Sequence, residues 1–323
     1  MGVANDLDLQ NGDHIHGFYR VRSPKRRQTN GRAFDYVLEL ENLFGATSAI
    51  VPWQRLSTCK PLLNDMQSVY VSGHIQKHKS ARIIDILDMK PIKDPADPLA
   101  LLPVSHCPEP IKVLKLRDIV KSLSILPLRT LLEKVFADDD LALPYVKLPA
   151  SCRHHHAQSA GLLTHSLECA CIVAAMPGFS SIEKELGITT ALLHDLGKIR
   201  TLERGRHNRF NGALLDHESL TLELLASQLA WLDHRWSDGA LAIRYLLTWK
   251  QQKRGKTLPM MTLAEALAAA DRISTGLERE HMAFHQEPEW RSYIQDQGMH
   301  RWRPRLEGYS ESCEMIFDEA VSS

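Results

Sequence analysis

His194 and Asp195 stand side by side at the end of an apolar run, ITTALLHDLGK. A polar pair there is costly to bury unless something strong satisfies it. A divalent metal ion would satisfy both, because imidazole and carboxylate are suitable ligands for first-row divalent ions. Adjacent residues on one helix converge on an ion only if other helices bring further ligands, and two candidates lie in comparable settings. His165 follows Gly161-Leu162-Leu163 on a helix whose Leu162, Leu163, Leu167 and Ala170 form an apolar stripe, so its ring points toward the core side. Asp271 sits in LAEALAAADRIS, one four-residue step from Leu267 on the face marked by Leu263, Leu267 and Ala270. Singly, such a histidine is more often a hydrogen-bonded core residue and such an aspartate a solvated or capping one. Three apolar helices that each offer an inward His or Asp favour a metal site.

The elements that must position these residues follow from periodicity. Helical spacing runs through VLKLRDIVKSL, PLRTLLEKVF, GLLTHSLECACIVAAM, ITTALLHDLGKI, DHESLTLELLASQLAWL, DGALAIRYLLTWK and MTLAEALAAADRISTGLERE. Residues 112–323 are therefore expected to form an all-α domain, with the tail after His285 assigned only loosely. Before them, HIHGFYRVR, AFDYVLELEN, TSAIVPW, SVYVSGHIQ and ARIIDILDMKPI read as five short strands. Residues 1–93 are thus expected to be a small OB-like β-barrel, with SPKRRQTNGR joining its first two strands through an Asn30-Gly31 turn. The proline-dense stretch DPADPLALLPVSHCPEP makes 94–111 the linker. The fold class is multidomain α+β.

At 323 residues the chain accommodates two ordinary domains. A composition of 44% hydrophobic and 24% charged residues is that of a globular rather than a disordered protein. No apolar run approaches the ~20 residues of a membrane span, and the acidic start MGVANDLDLQNGD resembles neither a secretory nor a transit peptide. Six cysteines without a CxxC pair read as reduced thiols, which points to a cytoplasmic protein. With 39 basic and 39 acidic residues the formal charge is zero, so any nucleic-acid binding must come from local patches.

His165, the His194-Asp195 pair followed by Gly197-Lys198, and Asp271 in an Ala-Asp-Arg context together resemble the HD phosphohydrolase superfamily, whose ligands follow the order H…HD…D on separate helices. The resemblance implies a metal held by these four side chains that activates water for attack on a phosphoester. Mn²⁺ is the ion expected first from the His/Asp mixture, with Mg²⁺, Fe²⁺ and Ni²⁺ compatible. The segment LPASCRHHHAQSAGLLTHSLECA narrows the likeness. It resembles YhaM-type 3′–5′ exoribonucleases, which carry a His-His-Ala…Gly-Leu-Leu-x-His sequence matched by His155, His156 and His165, and more locally the MOBH-type conjugative relaxases. The order barrel, linker, HD domain is that of the exonucleases, so that reading comes first. It implies that His155 and His156 contact phosphate. Lys198, near Asp195, would neutralise developing charge, and His217 matches a histidine of the family. Where those enzymes have Ser-His-His-Gly, this chain has Leu247-Thr248-Trp249-Lys250. The change favours one metal per chain, with His217 left to bind phosphate or donate a proton, and it puts robust exonuclease activity in question.

Arg20, Arg22, Lys25, Arg26, Arg27 and Arg32 form a run without an acidic residue across the first hairpin of the barrel. In that fold the loop between strands 1 and 2 commonly borders a nucleic-acid groove. Phe18, Tyr19, Phe34, Tyr36, Trp53 and Tyr70 offer stacking surfaces, about half of which alternation must place inside the barrel. A second basic cluster, Lys250, Lys253, Arg254 and Lys256, lies where the family histidines are absent. The expected partner is single-stranded RNA or DNA, with no membrane, and homo-oligomerisation is left open. The leading expectation is a metal-dependent phosphodiesterase, a 3′–5′ exonuclease. The alternatives are a relaxase-like DNA-processing protein and a nucleic-acid-binding regulatory protein with a reduced HD site.

Overall fold

A computed structural model describes residues 10–29, 33–78, 81–151, 158–202, 214–249, 259–296 and 298–304. An N-terminal barrel is closed by five strands, β1 (His14–Gln28), β2 (Phe34–Asn42), β3 (Gly45–Val51), β4 (Ser68–His78) and β5 (Ala81–Pro91), in the order β1-β2-β3-β5-β4. All pairs are antiparallel except β3 with β5. Period-two alternation sends Tyr19, Val21, Leu38, Leu40, Ala49, Val51, Val69 and Val71 inward, where they make the barrel core.

The basic segment departs from expectation in an instructive way. Ser23–Gln28 does not form a loop but continues β1, pairing Lys25 with Val37, Arg26 with Tyr36 and Arg27 with Asp35. A register shift between Arg22 and Lys25, with Ser23 at φ 47°, absorbs Pro24. A bulge of this kind lets a residue without an N–H sit in a strand without breaking the ladder. The Asn30-Gly31 turn and Arg32 lie outside the described residues.

Ten helices follow among the described residues: α1 (Pro110–Ser122), α2 (Leu126–Ala137), α3 (Asp139–Lys147), α4 (Gly161–Ala175), α5 (Ser181–Leu193), α6 (Lys198–Leu202), α7 (His217–Leu224), α8 (Ala226–Arg235), α9 (Ser237–Leu247) and α10 (Thr262–Phe284). The helix expected across 216–232 is two, separated at Leu225. Helix α3 is not among the runs read from periodicity, and it carries Pro144 inside it. Burial of Leu141, Ala142, Tyr145 and Val146 outweighs the hydrogen bond that the proline removes. The helical region is also not purely α. Beyond α10, β6 (Tyr293–Asp296) and β7 (Met299–Trp302) form a two-stranded hairpin, with Gly298 at φ 79° in its turn. The chain divides into two compact units between Arg272 and Ile273, so the barrel and the helices up to Arg272 belong to one unit.

Within that unit the proline-dense segment is packed rather than free. Leu99, Leu102 and Cys107 join the helical core together with Leu43 from the barrel, and Leu43 N donates to Ala100 O. Burial pushes the Cys107 thiol up to about 11, so it stays protonated and inert. Arg20 is only 8% exposed. Its guanidinium donates to both Asp139 carboxylate oxygens, at 2.9 and 2.7 Å, and to the Met66 carbonyl. Arg20 therefore ties the barrel to the start of α3.

Helix α5, which carries the His-Asp pair at its end, is anchored at both ends of its first turn. Ser180 and Glu183 form a reciprocal capping box. One turn on, Glu185 accepts from the Ser124 and Ile125 amides, at 2.9 and 2.8 Å, and from the Ser124 hydroxyl. Burial acts to raise the Glu185 carboxyl, but these three donors more than offset it and hold it below its ordinary value. A carboxyl depressed in the folded state adds stability above its unfolded pKa and loses it as pH falls through the folded one. Glu185→Ala should therefore cost about 1 kcal/mol near neutral pH, the value being held down by partial exposure. In urea melts the gap between wild type and variant should close as pH drops below the ordinary glutamate value of 4.5. A gap that stays constant through that range would show that the carboxylate charge is not what anchors α5.

Candidate metal centre

Four helices and one turn bring polar side chains together around Asp195 and His165. Its Nε2 lies 3.4 Å from Asp195 Oδ2 and 3.2 Å from Asp271 Oδ1. His194 Nε2 is 3.5 Å from the same Asp195 Oδ2, and Lys198 Nζ is 2.5 Å from it. The other oxygen, Asp195 Oδ1, is 3.3 Å from His217 Nε2. The structure thus brings together His165 from α4, the His194-Asp195 turn after α5, Lys198 at the start of α6, His217 at the start of α7 and Asp271 from α10. His155 and His156 lie outside the described residues, as do Lys250, Lys253, Arg254 and Lys256. His165 and Asp195 are buried, whereas the Asp271 side chain is 52% exposed, so the cluster opens to solvent on the Asp271 side.

The chemistry of His194 tests whether these residues fit a metal. Its Nδ1 is 2.8 Å from the Ala191 carbonyl, which can only accept, so Nδ1 carries the proton. Burial lowers the His194 pKa, more than the neighbouring carboxylates raise it, and the ring is neutral. A neutral imidazole with its proton on Nδ1 presents a lone pair on Nε2, and this buried atom has no hydrogen-bond partner among the described residues. An imidazole tautomer held by a backbone carbonyl, with the opposite nitrogen free, is the arrangement of a metal-ligating histidine. The donor set fits a divalent ion.

The carboxylates are ready for the same role. Burial acts to raise Asp195, but its interactions with His194, the Lys198 ammonium, His217 and His165 hold it well below the ordinary range. For Asp271, burial is likewise outweighed, first by the hydrogen bond from His165. His217 moves the other way: its hydrogen bond to Asp195 and the charges of Asp195 and Glu218 raise it, overcoming burial.

Three supporting residues escaped the sequence reading. The buried Thr221 hydroxyl donates to the His217 carbonyl at 2.8 Å and accepts from Gly197 N at 2.8 Å, locking the His-Asp turn to α7. Tyr145 donates to the Leu192 carbonyl at 2.8 Å beneath the site, and burial pushes its phenol far up. Cys169 sits one turn after His165 with Sγ 3.8 Å from His165 Nε2. A polar residue four positions from a candidate ligand on an otherwise apolar face was the available signal for Thr221 and Cys169 alike.

Residues 162–276 match the family model described as HD domain. The match covers about a third of the chain and includes His165, His194, Asp195, His217 and Asp271. No curated protein matches the chain. Among solved structures, Entamoeba histolytica asparaginyl-tRNA synthetase (AsnRS) is similar at 13% identity with a TM-score of 0.22. The similarity covers 43% of this chain, which spans only 35% of the synthetase, and at that TM-score it has no bearing on function. Among the described residues no helix is long and apolar enough to cross a membrane.

The basic residues of the barrel are divided between structure and surface. Arg20 is committed to Asp139, and Arg22 reaches Asp65 at 3.2 Å and His106 Nδ1 at 2.8 Å. Lys25, Arg26 and Arg27 are exposed. Arg27 lies 3.6 Å from Asp35, while Arg26 donates to the Tyr36 hydroxyl and stacks over its ring. Tyr19 is buried in the barrel, whereas Phe18, Phe34 and Trp53 are exposed and Tyr70 packs edge-on against Phe18.

Proposed function

We propose that this protein is a metal-dependent phosphodiesterase that acts on single-stranded nucleic acid from the 3′ end. The observation that carries the reading is the convergence of His165, His194, Asp195 and Asp271 within a region that matches the HD domain. A divalent ion held by these four side chains would supply Lewis acidity toward a phosphoryl oxygen and a more acidic water. Mn²⁺ suits the His/Asp donors, and one ion per chain is the proposed stoichiometry, since Thr248 and Trp249 offer no useful further ligands.

The chain's own residues supply the rest. Asp271 stands at the solvent-facing side, where a phosphate would approach. Lys198 brings an ammonium to the Asp195 carboxylate, from which it can reach charge that develops on the phosphoryl oxygens. His217, hydrogen-bonded through Nε2 to Asp195 and with Nδ1 3.5 Å from Glu218, is placed to hold or pass a proton to the leaving oxygen. His155 and His156 are assigned to phosphate contact.

Polymer binding is assigned to the barrel. Pairing puts Arg26 opposite Tyr36 and Gln28 opposite Phe34, so Arg26, Tyr36 and Phe34 share one face of the β1–β2 ribbon. This combination of an exposed cation and an exposed ring at Phe34, with half-buried Tyr36 beside them, suits stacked bases beside a phosphate backbone. Phe34→Ala should weaken binding of a single-stranded oligonucleotide by about 1–3 kcal/mol. Arg26→Ala should lower the salt slope of binding by about 0.7. Fluorescence anisotropy over a salt series reads both effects, and unchanged binding in both variants would remove this face from the proposal.

The activity itself is tested with metal-reconstituted protein and end-labelled single-stranded RNA and DNA of one sequence. A ladder shortening from the 3′ end is the expected result. A single discrete cut in DNA would instead favour relaxase-like processing, and binding without cleavage a regulatory role.

A further inference from the structure

We infer that Cys169 is a further metal donor of this centre, and that its sulfur shifts the site from the Mn²⁺ that the His/Asp donors alone would suit toward a borderline, thiophilic ion such as Zn²⁺, Fe²⁺ or Co²⁺. The inference rests on the metal-site reading above and refines it. His165, Cys169, His194 and Asp271 each present a ligand atom, and these four atoms all lie within 4.8 Å of one another. Donors bound to one ion at about 2.0–2.1 Å for nitrogen and about 2.3 Å for sulfur stand at most about 4.4 Å apart. The Cys169 Sγ to His165 Nε2 distance of 3.8 Å and the His165 Nε2 to Asp271 Oδ1 distance of 3.2 Å fall inside that limit. Sγ also stands 4.0 Å from His165 Nδ1, so the thiol lies beside the imidazole and must turn toward the Nε2 side to join the ion.

The sequence makes this geometry natural. Positions 165 and 169 are one helical turn apart on α4, so imidazole and thiol project from the same face. The thiol is buried at the polar cluster rather than among hydrocarbon alone, whereas Cys171, two residues on, points to solvent. Asp195 Oδ2 has the Lys198 ammonium 2.5 Å away and its other oxygen faces His217, so its charge is shared and a thiolate adds to the donor set rather than replacing the carboxylate. A site with a sulfur donor and two imidazoles prefers softer ions than one made of imidazole and carboxylate. When the metal–sulfur bond forms, the thiol S–H breaks and its proton passes to solvent.

Cobalt substitution reads this directly. Full-length protein loaded with Co²⁺ should show thiolate-to-cobalt charge-transfer absorption in the near ultraviolet, and Cys169→Ser should lose it. In weakly buffered solution, Zn²⁺ titration of wild type should release about one more proton per chain than titration of Cys169→Ser. Zn²⁺ affinity should fall on the order of 10-fold or more in the variant, while Mn²⁺ affinity changes little. Stoichiometric cobalt without the band overturns the inference and leaves the metal site standing. Failure to bind cobalt at all overturns both. If Cys169→Ser does not fold, the triple variant Cys152→Ser, Cys171→Ser, Cys313→Ser decides: a retained band supports Cys169, and a lost band refutes it.

Discussion

Asp195→Ala is expected to empty the centre of metal and lower phosphodiester hydrolysis on the order of 10³-fold, while the far-ultraviolet helical signal is largely kept. Asp195 is the hub of the cluster, with one oxygen facing His165, His194 and Lys198 and the other facing His217. Those four partners hold its carboxyl well below the ordinary range against the opposing effect of burial, so the side chain is anionic at any working pH. Removing it leaves Asp271 to face a lysine and three histidines, and a cation gains much less there. His194→Ala should act in the same direction by deleting the lone pair on Nε2, which the Ala191 carbonyl orients. Metal content by mass spectrometry and hydrolysis of a labelled oligonucleotide measure the two effects. Full metal content in the Asp195→Ala, His194→Ala double variant at neutral pH would mean that the ion sits elsewhere.

The second large effect belongs to a residue with no side chain. A Cβ added at Gly197 would lie 2.0 Å from the His217 carbonyl oxygen and 2.8 Å from the Thr221 amide nitrogen. Both obstacles are backbone, so no rotamer change relieves them, and the turn after His194-Asp195 must part from α7. Gly197 N also donates to Thr221 Oγ1, the same hydroxyl that caps the His217 carbonyl, and this bond would be lost in the same movement. Gly197→Ala is therefore expected to cost about 3 kcal/mol or more and to break the His217 to Asp195 contact. Thermal melts give the first quantity, and loss of the Asp195-dependent shift of the His217 ring resonances in NMR gives the second. A variant with wild-type stability would show that the turn and α7 approach less closely than this.

Much of the architecture was legible because it is written locally. Alternation in VYVSGHI and the three- to four-residue spacing in LLTHSLECA each follow from one element burying one face, so strand and helix types could be read before any contact was known. The elements that were misread are those in which a local rule yields to packing. Pro24 argued for a loop, but a bulge carries β1 past it. Helix α3, which went unread, is held together around Pro144 by the burial of its neighbours. The four-residue strands around Gly298 were too short and too mixed in charge to show a period.

For the candidate site the same division holds. Sequence by itself determined that His165, His194-Asp195 and Asp271 each occupy an apolar helix context, because an uncompensated polar group in such a setting is costly wherever the helix packs. Only the tertiary structure decided which oxygen of Asp195 faces which partner and which proton tautomer His194 adopts. It also brought Thr221 and Cys169 to the cluster, and it separated Arg20, bound to Asp139 beneath the barrel, from exposed Arg26 beside Tyr36. The reason is physical. Periodicity gives the direction of a side chain relative to its own element, whereas hydrogen bonds, charge pairs and coordination depend on distances between elements far apart in sequence, such as Arg20 and Asp139 or His165 and Asp271.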